Sequence, residues 1–158
     1  GIVPRHAERF ETAAELCQNK GLQVVKRSAG VVIQPSDDVW LVDTLGELLA
    51  VSSFADFVVM GGSFSNIGGH NPLEPALFKK PVIVGPDMNN FTEIMQQLEQ
   101  AQAILNTAGE GSALGDAMHK LLSDKQQVTT LGENAYSVVQ NNQGATEKTR
   151  QRMLELLR

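Results

Sequence analysis

Apolar positions recur along this chain in two rhythms. Over 6–21 (HAERFETAAELCQNKG), Phe10, Ala14 and Cys17 return at helical spacing and Gly21 ends the pattern. Elsewhere the apolar residues cluster in short runs that predict strands: GIVP at the start, LQVVK (22–26), VVIQ (31–34), DVWLVD (38–43), ADFVVM (55–60), KPVIVG (80–85) and QAILN (102–106). Helices are expected between them. One covers LGELLAVSS, capped by Asp43 or Thr44, and a short one covers PLEPALF with Pro72 in its first turn. Another covers NNFTEIMQQLEQA, with Phe91, Ile94, Met95 and Leu98 on one face. From Ser112 onward the pattern is mostly helical, ending in TEKTRQRMLELLR (146–158). Strands that are continuous apolar runs and alternate with helices belong to a parallel sheet covered on both faces, so the fold class is α/β with a helical C-terminal third. Such sheets bind ligands beyond the carboxyl ends of their strands. The polar and glycine-rich segments here follow the strands GIVP, VWLV, FVVM and VIVG.

Composition narrows this picture. A chain of 158 residues fits one domain spanning 1–158, without repeats, low-complexity tracts or linkers. Thirteen basic against eighteen acidic residues give a formal charge of −5, and no Lys/Arg run supplies a nucleic-acid footprint. Local donors can still hold an anion. The single cysteine, Cys17, cannot form an intramolecular disulfide and reads as a small buried hydrophobe, which fits a reducing compartment. No apolar run reaches the ~18–20 residues of a membrane span, and GIVPRH is no signal peptide. The start resembles a chain cut from a longer protein at the end of a strand.

Three segments carry candidate chemistry. In VPRH, Arg5 offers a planar fork of donors to a phosphate or carboxylate; its alternative is a surface pair with Glu8. His6, at a helix start, reads more readily as a cap or surface residue. In VDTLGELL the free N–H groups of the turn after Thr44 suit an anion or polar ligand, while Glu47, three residues on, reads better as the far side of a capping box. The third segment, GGSFSNIGGHNPLEP, places Ser63, Gly68, Gly69, His70 and Asn71 before a helix. A run of bare N–H groups leading to a helix N-terminus can cradle a phosphate, and the glycines are expected to let backbone approach it closely. Glu74 either accepts from two ribose hydroxyls or rests on the helix dipole. The spacing is neither a Walker A loop nor G-x-G-x-x-G, no His/Cys/Asp/Glu group has a familiar metal spacing, and no G-x-S-x-G elbow occurs. His119 reads as a helix-surface residue and Trp40 as strand packing.

VPRHAERF, DTLGELL, GGSFSNIGGHNPLEPA, KPVIVGP and NNFTEI, in this order from Val3 to Ile94, resemble the C-terminal half of the bacterial 3-deoxy-D-manno-octulosonic acid (Kdo) transferases of lipopolysaccharide assembly. The resemblance implies a Rossmann-like domain, the donor half of a GT-B glycosyltransferase that faces an N-terminal domain across a cleft. It implies CMP-Kdo as donor substrate, held by Arg5, His6, Thr44, Leu45, Gly46, Glu47, Ser63, Gly68, Gly69, His70, Asn71 and Glu74, with Glu74 on the ribose and Arg5 on the phosphate or sugar carboxylate. It implies an inverting transfer that needs no metal or cofactor, onto a lipid A precursor bound by the N-terminal domain. The family's general base is a glutamate of that domain, so no residue of this chain is assigned as catalytic and the chain alone is expected to be inactive. Membrane association at the cytoplasmic face of the inner membrane would come from the family's N-terminal segment, leaving this domain soluble. Two alternatives remain at this level: the UDP-sugar half of another GT-B glycosyltransferase or epimerase, and a standalone nucleotide-sensing domain.

Overall fold

The computed structural model describes residues 1–109, 111–144, 150, 152, 153 and 155. The chain divides into two compact units, Gly1–Ala55 and Asp56–Arg158.

In the first unit, helix α1 (Phe10–Gln18) precedes strands β1 (Val24–Lys26) and β2 (Val39–Leu41), and helix α2 (Leu48–Phe54) follows. β1 and β2 pair in parallel with Val24 opposite Val39 and Lys26 opposite Leu41. Ile2 bridges Leu41 in parallel as well, receiving the Val42 N–H at 2.9 Å and giving its own to the Trp40 carbonyl at 2.9 Å. Leu41 therefore has a neighbour on each edge, and it and Val42 are fully buried, as a central strand requires. Ala14 is the buried position of α1; Cys17 is only half-buried. The strand expected over VVIQ does not form. Val31, Val32 and Ile33 are exposed, Val32 by 80%, and no strand pairs with them. A β-branched run becomes a strand only where a pleated neighbour and a buried face receive it.

In the second unit, β3 (Val58–Val59), β4 (Val82–Val84) and β5 (Ile104–Asn106) form a parallel sheet in the order β3-β4-β5, with Val82 opposite both Val58 and Ile104. Helices α3 (Leu73–Ala76), α4 (Thr92–Gln100), α5 (Ser112–Ser123) and α6 (Lys125–Asn142) surround it. β4 lies in the middle and all three of its residues are buried, which explains its unbroken apolar run. Because side chains alternate along a strand, Val82 and Val84 join one apolar cluster with Met95, Leu98, Ala135, Val138 and Val139. Ile83 joins another with Leu121 and Leu131. Helices thus cover both faces of this sheet, and the α/β class with parallel strands is borne out. Full burial of each such side chain contributes about 1.5–3 kcal/mol. α4 follows its expected face: Met95 and Leu98 are buried, with Phe91 and Ile94 packed beside them. The Asp124 carboxylate caps α6 by accepting the Gln127 N–H at 2.9 Å. The helix expected over 146–158 lies largely outside the described residues; positions 150, 152, 153 and 155 are helical.

Candidate functional site

In the first unit the carboxyl ends of β1, β2 and the Ile2 segment share one edge, because all three run parallel. Arg5 and His6 leave it after Ile2. Arg5 is exposed and pairs with no group among the described residues; Glu8, its alternative partner, faces His6, 3.9 Å from Nδ1. Beyond β2, Asp43 receives two bonds from the 3₁₀ turn that follows β1 (Arg27–Ala29): the Ser28 N–H at 2.8 Å and the Ser28 hydroxyl at 2.5 Å. Partial burial works to raise the Asp43 pKa, but these two Ser28 bonds, its own backbone and the nearby Lys26 charge outweigh it and hold the carboxyl below its ordinary range. The Thr44 hydroxyl donates to the Glu47 carboxylate, which also accepts from Arg27 at 3.2 Å. The Thr44 bond does most to lower the Glu47 pKa; desolvation opposes it, and the Arg27 charge and bond add to the lowering.

Two expectations change here. Neither Asp43 nor Thr44 caps α2, and no capping box forms: the helix begins after Glu47, with no side-chain cap bond. The physical reason is competition, since Ser28 takes the Asp43 oxygens and Thr44 donates its hydroxyl proton to Glu47 rather than accepting a backbone N–H. Leu45 and Gly46 lie exposed on the connecting turn.

In the second unit the site loop leaves β3 through a 3₁₀ turn, Gly61–Phe64. Ser63 is fully buried. Its hydroxyl donates to the Met60 carbonyl at 2.6 Å and accepts the Gly85 N–H at 2.6 Å, so it ties the end of β3 to the end of β4. The His70 ring lies against Gly62. Asn71 accepts the Leu73 N–H at 3.1 Å through Oδ1, an Asx turn that starts α3. Glu74 sits half-buried in the first turn of α3 and has no hydrogen-bond partner among the described residues.

Gly68 and Gly69 adopt left-handed φ of 81° and 78°, which glycine alone takes without strain. Their bareness also has an internal cause that was not anticipated. A Cβ on Gly68 would run into the Asn90 amide, and one on Gly69 into the Met88 sulfur and the Asp87 carbonyl. The segment after β4 therefore packs directly on this turn. The Gly68 N–H is engaged, donating to Asp87 Oδ2 at 2.8 Å. The Gly69 and Asn71 N–H groups have no acceptor among the described residues.

The structure thus brings Ser63 and Gly68–His70 together around the carboxyl ends of β3 and β4, with Asn71 leading into α3 and Glu74 in its first turn; Arg5, His6 and the Thr44–Glu47 turn lie on the first unit's own edge. Asp87 and Asn90 were missed. Their signal was present, an acid and two amides in GPDMNN directly beyond the strand VIV. Arg27 and Ser28, directly beyond VVK, were missed in the same way. Among the described residues no group of His, Cys, Asp and Glu could hold a metal ion, and no helix is long and apolar enough to cross a membrane.

No protein-family model matches the chain. It is 39% identical over 157 residues to the 3-deoxy-D-manno-octulosonic acid transferase of Haemophilus influenzae, covering 99% of this chain and 36% of that protein. To the enzyme of the same name from Bordetella pertussis it is 37% identical over 149 residues, 94% of this chain and 35% of that one. The chain spans about a third of the length of these curated relatives. Among solved structures it matches the C-terminal CMP-Kdo binding domain of WaaA from Acinetobacter baumannii with a TM-score of 0.81 and 34% identity, over 87% of this chain and 72% of that one.

Proposed function

The chain belongs to the Kdo transferase family, and from that premise we propose that it is the CMP-Kdo-binding half of a GT-B glycosyltransferase. What carries this reading is its likeness, through most of its length, to a domain that binds CMP-Kdo. The loop geometry supports it: the Gly69 and Asn71 N–H groups, without an acceptor among the described residues, are donors of the kind a phosphate takes, and Glu74 is an acceptor one turn further on. As the bond to Kdo breaks, CMP departs as a phosphate monoester, and fixed N–H groups stabilise its growing charge. Ser63 serves by holding the loop, since its proton is given to Met60. For the first unit, Arg5, His6 and the Thr44–Glu47 turn are carried forward as donor contacts, each to be tested by substitution. Arg5 is the strongest of them because its guanidinium is unpaired among the described residues.

The remaining steps belong to the rest of such an enzyme. The acceptor, a lipid A precursor, its general base and attachment to the cytoplasmic face of the inner membrane are assigned there, and no metal is required. The chain by itself is expected to bind donor and transfer nothing.

The test is a titration of this chain with CMP followed through its backbone amides, with UMP and AMP as controls. Shifts centred on Gly68–Glu74 and strongest for CMP are expected. An equal response to UMP would move the reading to a UDP-sugar enzyme. No response at millimolar CMP would overturn the donor site.

A further inference from the structure

Asp87 holds the site loop at two points, Ser63 and Gly68. Its N–H donates to the Ser63 carbonyl at 3.0 Å. Its Oδ2 accepts the Gly68 N–H at 2.8 Å, and its Oδ1 accepts from the Asn89 amide at 2.8 Å. Asn90 completes the grip: its N–H donates to the Gly68 carbonyl at 3.1 Å and its side-chain amide to the Ile67 carbonyl at 2.8 Å. Gly68 is therefore held through both its N–H and its C=O, from a segment that belongs to a different strand end.

This placement looks wrong for an anion site, because a carboxylate within hydrogen-bond reach of the glycine turn would repel a phosphate. The arrangement makes sense if the carboxylate acts on the loop. Two adjacent left-handed residues form an unusual turn that nothing local enforces. A carboxylate supplies two acceptors at once, one for Gly68 and one for Asn89, and both of its oxygens are thereby engaged. With Gly68 engaged, the Gly69 and Asn71 N–H groups, which have no acceptor among the described residues, are open to an incoming anion.

We propose that Asp87 is a positioning residue for the donor phosphate: by clamping Gly68 in its left-handed turn, it keeps the Gly69 and Asn71 N–H groups in the arrangement an anion can bridge. The inference rests on the donor-site reading and extends it to a residue outside the family motif.

The test compares CMP binding to the wild-type chain, Asp87→Ala, Asp87→Asn and Asp87→Glu, with the Tm of each. Loss of a charge-assisted bond should weaken CMP about tenfold in Asp87→Ala and abolish the Gly69 and Asn71 amide shifts. Asp87→Asn keeps an acceptor for Gly68 and sheds the charge, so it should bind within about threefold of wild type or more tightly. Asp87→Glu keeps the charge but moves the carboxylate by one methylene, so it should resemble Asp87→Ala; it supplies the comparison if the alanine variant folds poorly. Rescue by Asn with failure by Glu separates positioning from charge, and a general loss of packing would not sort the variants that way. Wild-type binding left unchanged by Asp87→Ala, or retained by Glu and lost by Asn, would overturn the proposal alone. Failure of the wild type to bind CMP would overturn the donor-site reading and this inference with it.

Discussion

Gly68 and Ser63 illustrate two ways a residue can hold a loop in place. At Gly68 the left-handed backbone and the Asn90 amide both exclude a side chain. Gly68→Ala should therefore lower stability by about 1–3 kcal/mol, read as a shift of the urea midpoint. A change under ~0.5 kcal/mol would mean that the turn relaxes without strain. Ser63→Ala removes the acceptor of the buried Gly85 N–H, and about 1–3 kcal/mol should be lost for that reason. On the first unit, Asp43 and Glu47 have pKa values held below their ordinary 3.8 and 4.5. A depressed folded pKa means that the unfolded state takes up protons first as pH falls. The stabilisation is thus complete above about pH 4.5 and is lost as pH drops through the lowered folded values. Tm measured from pH 7 to pH 3 should fall through this acid range, and Asp43→Asn should flatten part of that fall. An identical pH profile for the variant would show that the Ser28 bonds contribute nothing.

Among the elements, α6 carries a glycine in its interior where alanine has the better propensity by up to ~1 kcal/mol. Gly132 is buried, and a Cβ there would collide with the Lys79 carbonyl at the end of the α3 turn. Lys79 has a positive φ of 55°, pairs with Glu133 at 2.9 Å and sets its ammonium 5.2 Å from the centre of the Tyr136 ring. Gly132→Ala should accordingly destabilise by about 1–3 kcal/mol despite the propensity gain, because the Lys79 backbone has to move away. A neutral or stabilising result in chemical denaturation would show that this approach is loose. Neither feature is legible from pattern, since helical periodicity reports a face and not what presses on it. β4 and α4 were legible for the converse reason: VIV is apolar without a break, and Phe91, Ile94, Met95 and Leu98 mark one stripe. VVIQ misled because its composition suits a strand while no neighbour receives it. The α2 cap misled because Ser28, fifteen residues away, competes for Asp43.

Across the whole molecule, apolar runs mark which strands are buried but not which strands pair, so nothing in the sequence signals that pairing forms two sheets, β1-β2 and β3-β4-β5. The loop motif was legible because its residues are adjacent in the chain; the Asp87 clamp, nineteen residues from Gly68, was not. The two units also differ in how much they bury. Between 1 and 55 the buried hydrophobic side chains are Ala14, Leu41 and Val42, whereas the second unit holds two apolar clusters on opposite faces of β4. Local opening free energy follows such burial. The amides of Ile83 and Val84 should be the slowest to exchange with solvent, and those of Leu41 and Val42 at least about tenfold faster. Equal protection of β2 and β4 would show that the units open only together. Repeating the exchange with saturating CMP then tests each unit's share of binding. A ligand protects what it contacts by mass action, so slowing at Gly69 and Asn71 is expected throughout. Slowing at Trp40–Thr44 is expected as well if the first unit contributes donor contacts. Protection confined to the second unit would count against Arg5 and the Thr44–Glu47 turn as contacts of CMP.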